Sequence, residues 1–110
     1  MERLTFDAYV FDVLMPDLVG HDRRPAAFLV YLYLLRLTVR SRRDEISVSL
    51  QTIATNTGLG KSTVQAALRH LRRRKLLNPD VTATSALPVR AICRPWARPA
   101  GASHAAPTRR

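Results

Sequence analysis

One short stretch holds the side chains of this sequence that are best suited to binding a polyanion. The seventeen residues that begin with Lys61 contain six basic residues and no acidic one. Lys61 and Arg69 can donate hydrogen bonds to phosphates or guanine edges, and Gln65 can form a bidentate pair with adenine. Ser62 and Thr63 lie where a helix should begin, so their hydroxyl groups and the free backbone N–H groups suit a phosphate or a base. The stretch therefore predicts recognition of nucleic acid.

Four further arginines allow two interpretations each. Arg72 and Arg73 could extend the basic face, but cations in the last turn of a helix also interact favourably with the helix macrodipole. Arg90 and Arg94 belong to a β-prone run, where they could reach a phosphate or the minor groove, or could lie on a solvated β-edge. Both interpretations stay open for each pair.

The spacing of three residues predicts the element that presents the basic helix. Ala54 is small where two helices would cross closely, and Gly58, four residues later, can adopt the left-handed conformation that ends the first helix. Val64, six residues after Gly58, would be buried between the helices. This spacing is typical of a helix-turn-helix motif; a plain helical hairpin is the alternative, but the basic free side of the second helix favours DNA binding. The residues expected to form the shared core are Ile53, Leu59, Val64, Leu68 and Leu71.

Apolar periodicity, capping residues and breakers predict the other elements. Residues 4–15 should form a short helix that is broken over residues 15–20. A second helix should begin near Asp22, which can cap it, with Pro25 in its first turn, and run to about Val39. This helix is apolar on nearly all sides, as a central core helix or a helix shared with another subunit would be. The remaining elements are expected at residues 46–49 (a strand), 50–57 (a helix capped by Ser49), about 60–75 (the basic helix), and 81–84 with 87–93 (a β-hairpin).

The segment from Gly60 to Leu77 resembles the recognition helix and its exit in bacterial GntR-type regulators. Those proteins carry the pattern Ser-Arg-Thr-x-Val-Arg-x-Ala-Leu-x-x-Leu followed by Gly-Leu, and MarR-type regulators and plasmid replication initiators have similar winged helices. The resemblance extends over roughly residues 25–94. It implies DNA contacts by the residues at the matching positions, which are Gln51, Lys61, Ser62, Gln65 and Arg69.

The sequence departs from the GntR pattern in three ways. Gln51 and Gln65 stand where the family has arginine, so the resemblance does not imply an operator sequence. The expected wing lacks its usual glycine. The chain also lacks the large C-terminal effector domain of those regulators, so the resemblance does not extend to sensing a small-molecule effector.

These observations predict a mainly α fold with a small β-hairpin, a winged helix-turn-helix. The expected organisation is an N-terminal helical segment over residues 1–20, a possible dimerisation element, followed by the winged helix-turn-helix domain over residues 21–94. A disordered basic tail is expected over residues 95–110, with Trp96 at its start able to dock back onto the fold. The predicted DNA-binding residues are Ser49, Gln51, Lys61, Ser62, Thr63, Gln65, Arg69, Arg72, Arg73 and Arg90.

Charge is high and unevenly distributed along the chain. The 110 residues include 18 Lys and Arg against 8 Asp and Glu, a formal net charge of +10. Residues 1–22 carry five acids and one base, whereas residues 23–110 carry 17 bases and three acids. This balance favours a polyanionic partner, although a ribosome-associated protein or an arginine-rich genome would give a similar composition. The basic part should face phosphate and the acidic start should face elsewhere.

Other chemistry finds little support in the sequence. The three histidines are scattered and Cys93 is the single cysteine, so no metal site, cofactor or enzyme activity is expected. Acidic residues recur every five positions from Asp7 to Asp22, which on an α-helix would wind them around the axis. A lone cysteine favours a reducing compartment, and we find neither a signal peptide nor an apolar run long enough to span a membrane. A cytoplasmic, nucleoid-associated protein without a membrane partner is expected.

The predicted function is sequence-specific binding of double-stranded DNA by a transcriptional regulator that acts as a homodimer. One alternative, which would bind DNA in the same way, is a replication or partition protein of a plasmid or phage. The other alternative, from a different functional class, is a winged helix that binds RNA or another protein. The homodimer is predicted because residues 4–15 and the helix over residues 26–39 carry more apolar surface than one core should cover. The rival is that the first segment folds over its own domain.

Overall fold

A computed structural model of the chain describes residues 2–78 and 89–96. The described part is mainly helical. Its α-helices are α1 (Pro25–Ser41), α2 (Leu50–Thr57) and α3 (Lys61–Arg73), and its strands are β1 (Glu45–Ser47) and β2 (Val89–Ala91). Two π-helical turns, Val10–Leu14 and Pro16–His21, precede α1. We call residues 8–21 the N-terminal segment.

The N-terminal segment winds more widely than an α-helix and does not break where the sequence predicted. Its backbone forms bonds five residues apart, such as the one from the Asp22 N–H to the Asp17 carbonyl at 2.9 Å. Pro16 begins the second π-helical turn, a position where the missing N–H of proline costs little. Residues at four-residue intervals therefore share one face, and the three that are buried against the rest of the chain are Val10, Leu14 and Leu18.

Helix α1 is the central helix of the core, but its start differs from the prediction. It begins at Pro25 with Arg24 in the capping position and no side-chain cap. Asp22 is not the cap, because its carboxylate is bonded to residues of α3 instead. α1 packs against the N-terminal segment, α2, α3 and β1, and its buried residues are Ala27, Phe28, Val30, Tyr31, Leu34, Leu35 and Thr38.

The two helices α2 and α3 and the turn between them agree with the predicted helix-turn-helix motif. Ser49 caps α2, since its Oγ accepts a hydrogen bond from the Thr52 N–H at 3.1 Å. Gly58 ends α2 with a φ of 80°, the left-handed conformation that a residue with a Cβ adopts at a cost. Of the predicted core residues Ile53, Val64, Leu68 and Leu71 are buried, and Leu59 is partly buried.

The strands form a two-stranded antiparallel sheet in which Ile46 of β1 lies opposite Arg90 of β2. The mainly α fold with a small antiparallel sheet, as in a winged helix-turn-helix, is thereby confirmed. β1 begins one residue earlier than predicted and ends at Ser47 instead of Ser49. The first half of the predicted hairpin, residues 81–84, lies outside the described residues, as does the tail from residue 97 onward.

The chain after β2 is held to the start of the molecule by Trp96. Its indole ring stacks on Tyr9 with centroids 4.8 Å apart, and its Nε1–H donates to the Asp7 carboxylate at 2.8 Å. The prediction that Trp96 docks back onto the fold is therefore confirmed. No helix among residues 2–78 and 89–96 is long and apolar enough to cross a membrane.

Candidate nucleic-acid interface

Helix α3 has one buried side and one free side. Val64, Ala67, Leu68 and Leu71 are buried against the rest of the domain. The opposite side carries exposed polar and basic side chains at intervals of three and four residues, so that they form a single stripe. The residues of this stripe are Ser62, Gln65, Arg69 and Arg73. An α-helix presented in this way has the width that the major groove of duplex DNA accepts.

The first turn of α3 adds further donors beside the stripe. Lys61 and Thr63 are exposed there, and Gly60 occupies the capping position without a side-chain cap. The first backbone N–H groups of a helix lack intrahelical partners, so they add to the positive potential of Lys61. The structure thus brings together the predicted residues of the helix start.

The basic side chains of this face are free of carboxylates within the described part of the chain. The ion pairs formed there by arginine involve Arg40, Arg74 and Arg94 and leave out Lys61, Arg69 and Arg73. Arg73 instead lies 3.3 Å from the His70 Nδ1 atom. Positive charge that is not neutralised within the fold remains available to an external anion.

The predicted residues of α2 lie at its exposed start. The Ser49 hydroxyl is occupied by capping, since it also donates to Thr52 Oγ1 at 2.9 Å. Gln51 is exposed, and its Nε2 donates to Thr55 Oγ1 at 3.0 Å. A bond between two exposed side chains is easily exchanged, so Gln51 can turn to a ligand at lower cost than Ser49.

On the sheet side of α3, the two predicted arginines of the wing have different surroundings. Arg90 is half-buried, and its Nε–H donates to the Val48 carbonyl at 3.1 Å. Arg94 donates to the Asp44 carboxylate at 2.8 Å, so its charge is already matched. The two arginines could not be distinguished from the amino-acid sequence, because it does not show which acid lies opposite which arginine.

A group of ionisable residues that was not predicted lies at the C-terminal end of α3; we call it the Asp22 cluster (Asp17, His21, Asp22, His70 and Arg74). Arg74 binds both carboxylates, and His70 Nε2 lies 2.7 Å from Asp22 Oδ2. The acids were expected to wind around an α-helix; in a π-helical turn, a spacing of five residues instead places Asp17 and Asp22 on one side. The five-residue spacing was the signal that could have identified the cluster.

The Asp22 cluster attaches the acidic start to the C-terminal end of α3. That the acidic start faces away from phosphate remains a prediction. A hydrogen bond with His21 lowers the pKa of Asp22 most, and hydrogen bonds with His70 and Arg74 lower it further. Burial of the carboxylate acts in the opposite direction, but the pKa stays well below its usual range. Ligand atoms of Asp17, His21 and Asp22 lie within 4.8 Å of one another, close enough for a metal ion. Arg74 already supplies the positive charge there, so we interpret the group as an ion-pair network that fixes the N-terminal segment to α3.

Comparison with known proteins finds one family that resembles part of this chain. Residues 24–77 match a family model described as a helix-turn-helix domain. No curated protein and no solved structure matches the chain significantly. The match spans α1, β1, α2 and α3, and ends where the chain turns back toward β2. The fold of residues 24–77 is that of a helix-turn-helix, which supports DNA binding in general, and α3 is the second helix of the motif.

Proposed function

We propose that this protein binds double-stranded DNA at specific sequences and regulates transcription, with α3 as the recognition helix. The observation that carries the proposal is the free side of α3, where the stripe of Ser62, Gln65, Arg69 and Arg73 is exposed and no described carboxylate pairs with it. Selection from random duplex DNA followed by sequencing tests it. An enriched palindrome supports the proposal, whereas a preference for RNA hairpins or single strands contradicts it.

The proposal includes a homodimer, which the surface of the N-terminal segment supports. The buried residues of the segment pack against the core of the same chain. The alternative, in which the segment folds over its own domain, therefore accounts for part of its apolar surface. The part that stays uncovered includes Phe11, Met15 and Val19, which are 37–41% exposed and recur every four residues. An exposed apolar stripe of this kind offers a contact surface to a second copy of the chain. A two-fold dimer through it would present two α3 helices to half-sites about 10–10.5 bp apart, or a multiple of that spacing.

The first prediction concerns salt. A dimer that covers a few phosphates with each subunit should bind duplex DNA with a slope of log affinity against log salt of roughly −5 to −9, because each neutralised phosphate releases condensed counterions. Fluorescence anisotropy of a labelled duplex between low and moderate salt measures the slope. Affinity that does not change over this range would show that phosphate contacts do not drive binding.

The second prediction separates base recognition from positioning. Gln65→Ala should cost about 1–3 kcal/mol of binding free energy on the selected site and little on random DNA, because Gln65 is assigned to a base edge. Arg69→Ala should weaken binding to both DNAs, because Arg69 is assigned mainly to phosphate. Titration of each variant with both duplexes checks the assignment. Equal losses by Gln65→Ala on both DNAs would show that Gln65 does not recognise a base.

The third prediction concerns the dimer. Phe11→Asp places a charge at one end of the exposed apolar stripe, so it should convert the protein to a monomer of 12.4 kDa. Thr5→Asp, at an exposed position outside the stripe, adds the same charge and should leave the dimer intact. Sedimentation at micromolar concentration distinguishes the two. A wild-type protein that stays monomeric on its own and on DNA would overturn the dimer proposal.

A further inference from the structure

His70 lies on the flank of α3 next to Asp22, and both nitrogens of its ring are bonded. Nε2 lies 2.7 Å from Oδ2 of Asp22, and Nδ1 lies 3.3 Å from a terminal nitrogen of Arg73. The side chains of His70 and Asp22 are only 12% and 9% exposed, whereas Arg73 is exposed. The three residues thus form a chain of hydrogen bonds that runs from the Asp22 cluster to the stripe on the free side of α3.

The donors and acceptors in this chain determine the tautomer of His70. Arginine has N–H donors and no acceptor, so Nδ1 of His70 accepts the bond from Arg73. Asp22 is a carboxylate at neutral pH, because its hydrogen bonds, with His21 foremost, hold its pKa well below the usual range. Nε2 therefore carries the hydrogen that His70 donates to Asp22. His70 is a neutral imidazole in this arrangement, and the bond to Asp22 fixes its tautomer.

Asp22 is itself held in place by further bonds. Its carboxylate also binds His21 and Arg74, and Arg74 binds Asp17 as well. The charged and titratable groups bonded to His70 or to its partner Asp22, among the residues that the structure describes, are His21, Asp22, Arg73 and Arg74, with Asp17 behind Arg74. The orientation of the His70 ring thus depends on several bonds that do not involve Arg73, so the ring is a fixed acceptor for that arginine.

Arg73 benefits from a fixed acceptor because of its place on the helix. It is the last residue of α3 and the last member of the exposed stripe. An exposed arginine has many rotamers, and immobilising it at an interface costs binding free energy. The bond to His70 restricts the guanidinium group before a ligand arrives and leaves most of its five N–H donors free.

Resting on the DNA-binding function proposed above, we propose that His70 is a positioning residue that holds the guanidinium group of Arg73 in the orientation that binds DNA. Asp22 keeps His70 in the tautomer that can do so, and His70 itself does not contact DNA. The residues that precede α1 therefore contribute to DNA binding through the chain of Asp22, His70 and Arg73, although they lie outside the helix-turn-helix motif.

The test measures how much Arg73 contributes to DNA affinity when His70 is changed. Arg73→Gln should weaken binding of the full chain to the selected duplex about three- to tenfold, as expected when a pre-ordered side chain is lost. It should have little effect when His70→Leu is already present, because leucine offers no acceptor. His70→Gln should restore the contribution, since its amide group can donate to Asp22 and accept from Arg73. Arg69→Gln, one turn earlier on the stripe, is the control and should cost the same affinity in all three backgrounds.

The contribution of Arg73 should also depend on pH. Imidazole is the side chain that ordinarily gains a proton between pH 8 and pH 5. A proton on Nδ1 of His70 removes the acceptor and places a positive charge beside Arg73. The ratio of the affinities of wild type and Arg73→Gln should therefore fall toward one from pH 8 to pH 5, and should stay constant in the His70→Gln background. A merely structural role of His70 would leave this ratio unchanged.

Urea unfolding of each variant shows whether its fold is intact. If His70→Leu unfolds, the comparison of wild type with His70→Gln at the two pH values still decides. If Arg73→Gln has no effect, costs the same affinity with and without His70→Leu, or has an effect that does not change with pH, His70 does not position Arg73, while the proposed DNA binding stands. If the wild-type chain binds no duplex at all, both proposals fail.

Discussion

Tyr31→Ala is expected to remove about 3–5 kcal/mol from the free energy of unfolding, the range found when a buried aromatic side chain is deleted. Tyr31 is fully buried in the middle of α1. Its hydroxyl donates to the Cys93 carbonyl at 2.9 Å, and its ring meets the edge of Trp96 at a centroid distance of 6.4 Å. One side chain thus joins the central helix to the segment after β2. Since a domain of this size has a stability of about 5–15 kcal/mol, the loss is a large fraction of the total.

Tyr33 provides a matched control on the same helix. It is only partly buried, and its hydroxyl accepts a bond from Asn56 Nδ2 at the surface, so Tyr33→Ala should cost clearly less. Tyr31→Phe should lie between wild type and Tyr31→Ala, because it keeps the ring and loses one hydrogen bond of about 0.5–1.5 kcal/mol. Urea unfolding followed by the fluorescence of Trp96, the only tryptophan, measures all three. Equal losses for the two alanine variants would show that Tyr31 does not anchor the core.

Asp22→Asn should destabilise the protein by about 1.5–3 kcal/mol at neutral pH, the range for hydrogen bonds to a charged group. The side chain of Asp22 is 9% exposed and is bonded to His21, His70 and Arg74. Asparagine has a similar shape but lacks the charge, so Arg74 would keep only Asp17 as an ionic partner. Asp12→Asn, at an exposed position of the same segment, should change stability by less than about 0.5 kcal/mol.

The effect of Asp22→Asn should also depend on pH. Because folding lowers the pKa of Asp22 from its ordinary value of 3.8, the unfolded chain binds a proton at this group more readily than the folded one does. The stability that the carboxylate supplies is therefore fully present well above pH 3.8 and is lost as the pH falls below it. Urea unfolding at pH 5 and at pH 3 should show a gap between wild type and variant that is smaller at pH 3. A gap that widens at pH 3 would contradict the assignment.

The local sequence determined the helix-turn-helix motif almost completely. Ser49 caps α2 with its hydroxyl group, and Gly58 ends the helix because a residue without a Cβ adopts the left-handed conformation easily. The apolar period of α3 determined which side of the helix is buried and which side is exposed. These features were predictable because each depends on residues only a few positions apart.

Tertiary structure decided the features that join distant parts of the chain. Asp22 looked like a helix cap from its neighbours, but His70 and Arg74, about fifty residues away, bind its carboxylate instead. The π-helical turn that places Asp17 beside Asp22 is rare, so the five-residue spacing of the acids was not sufficient to predict it. Charge pairing at such distances depends on the packed core, so periodicity and capping within one element cannot specify it.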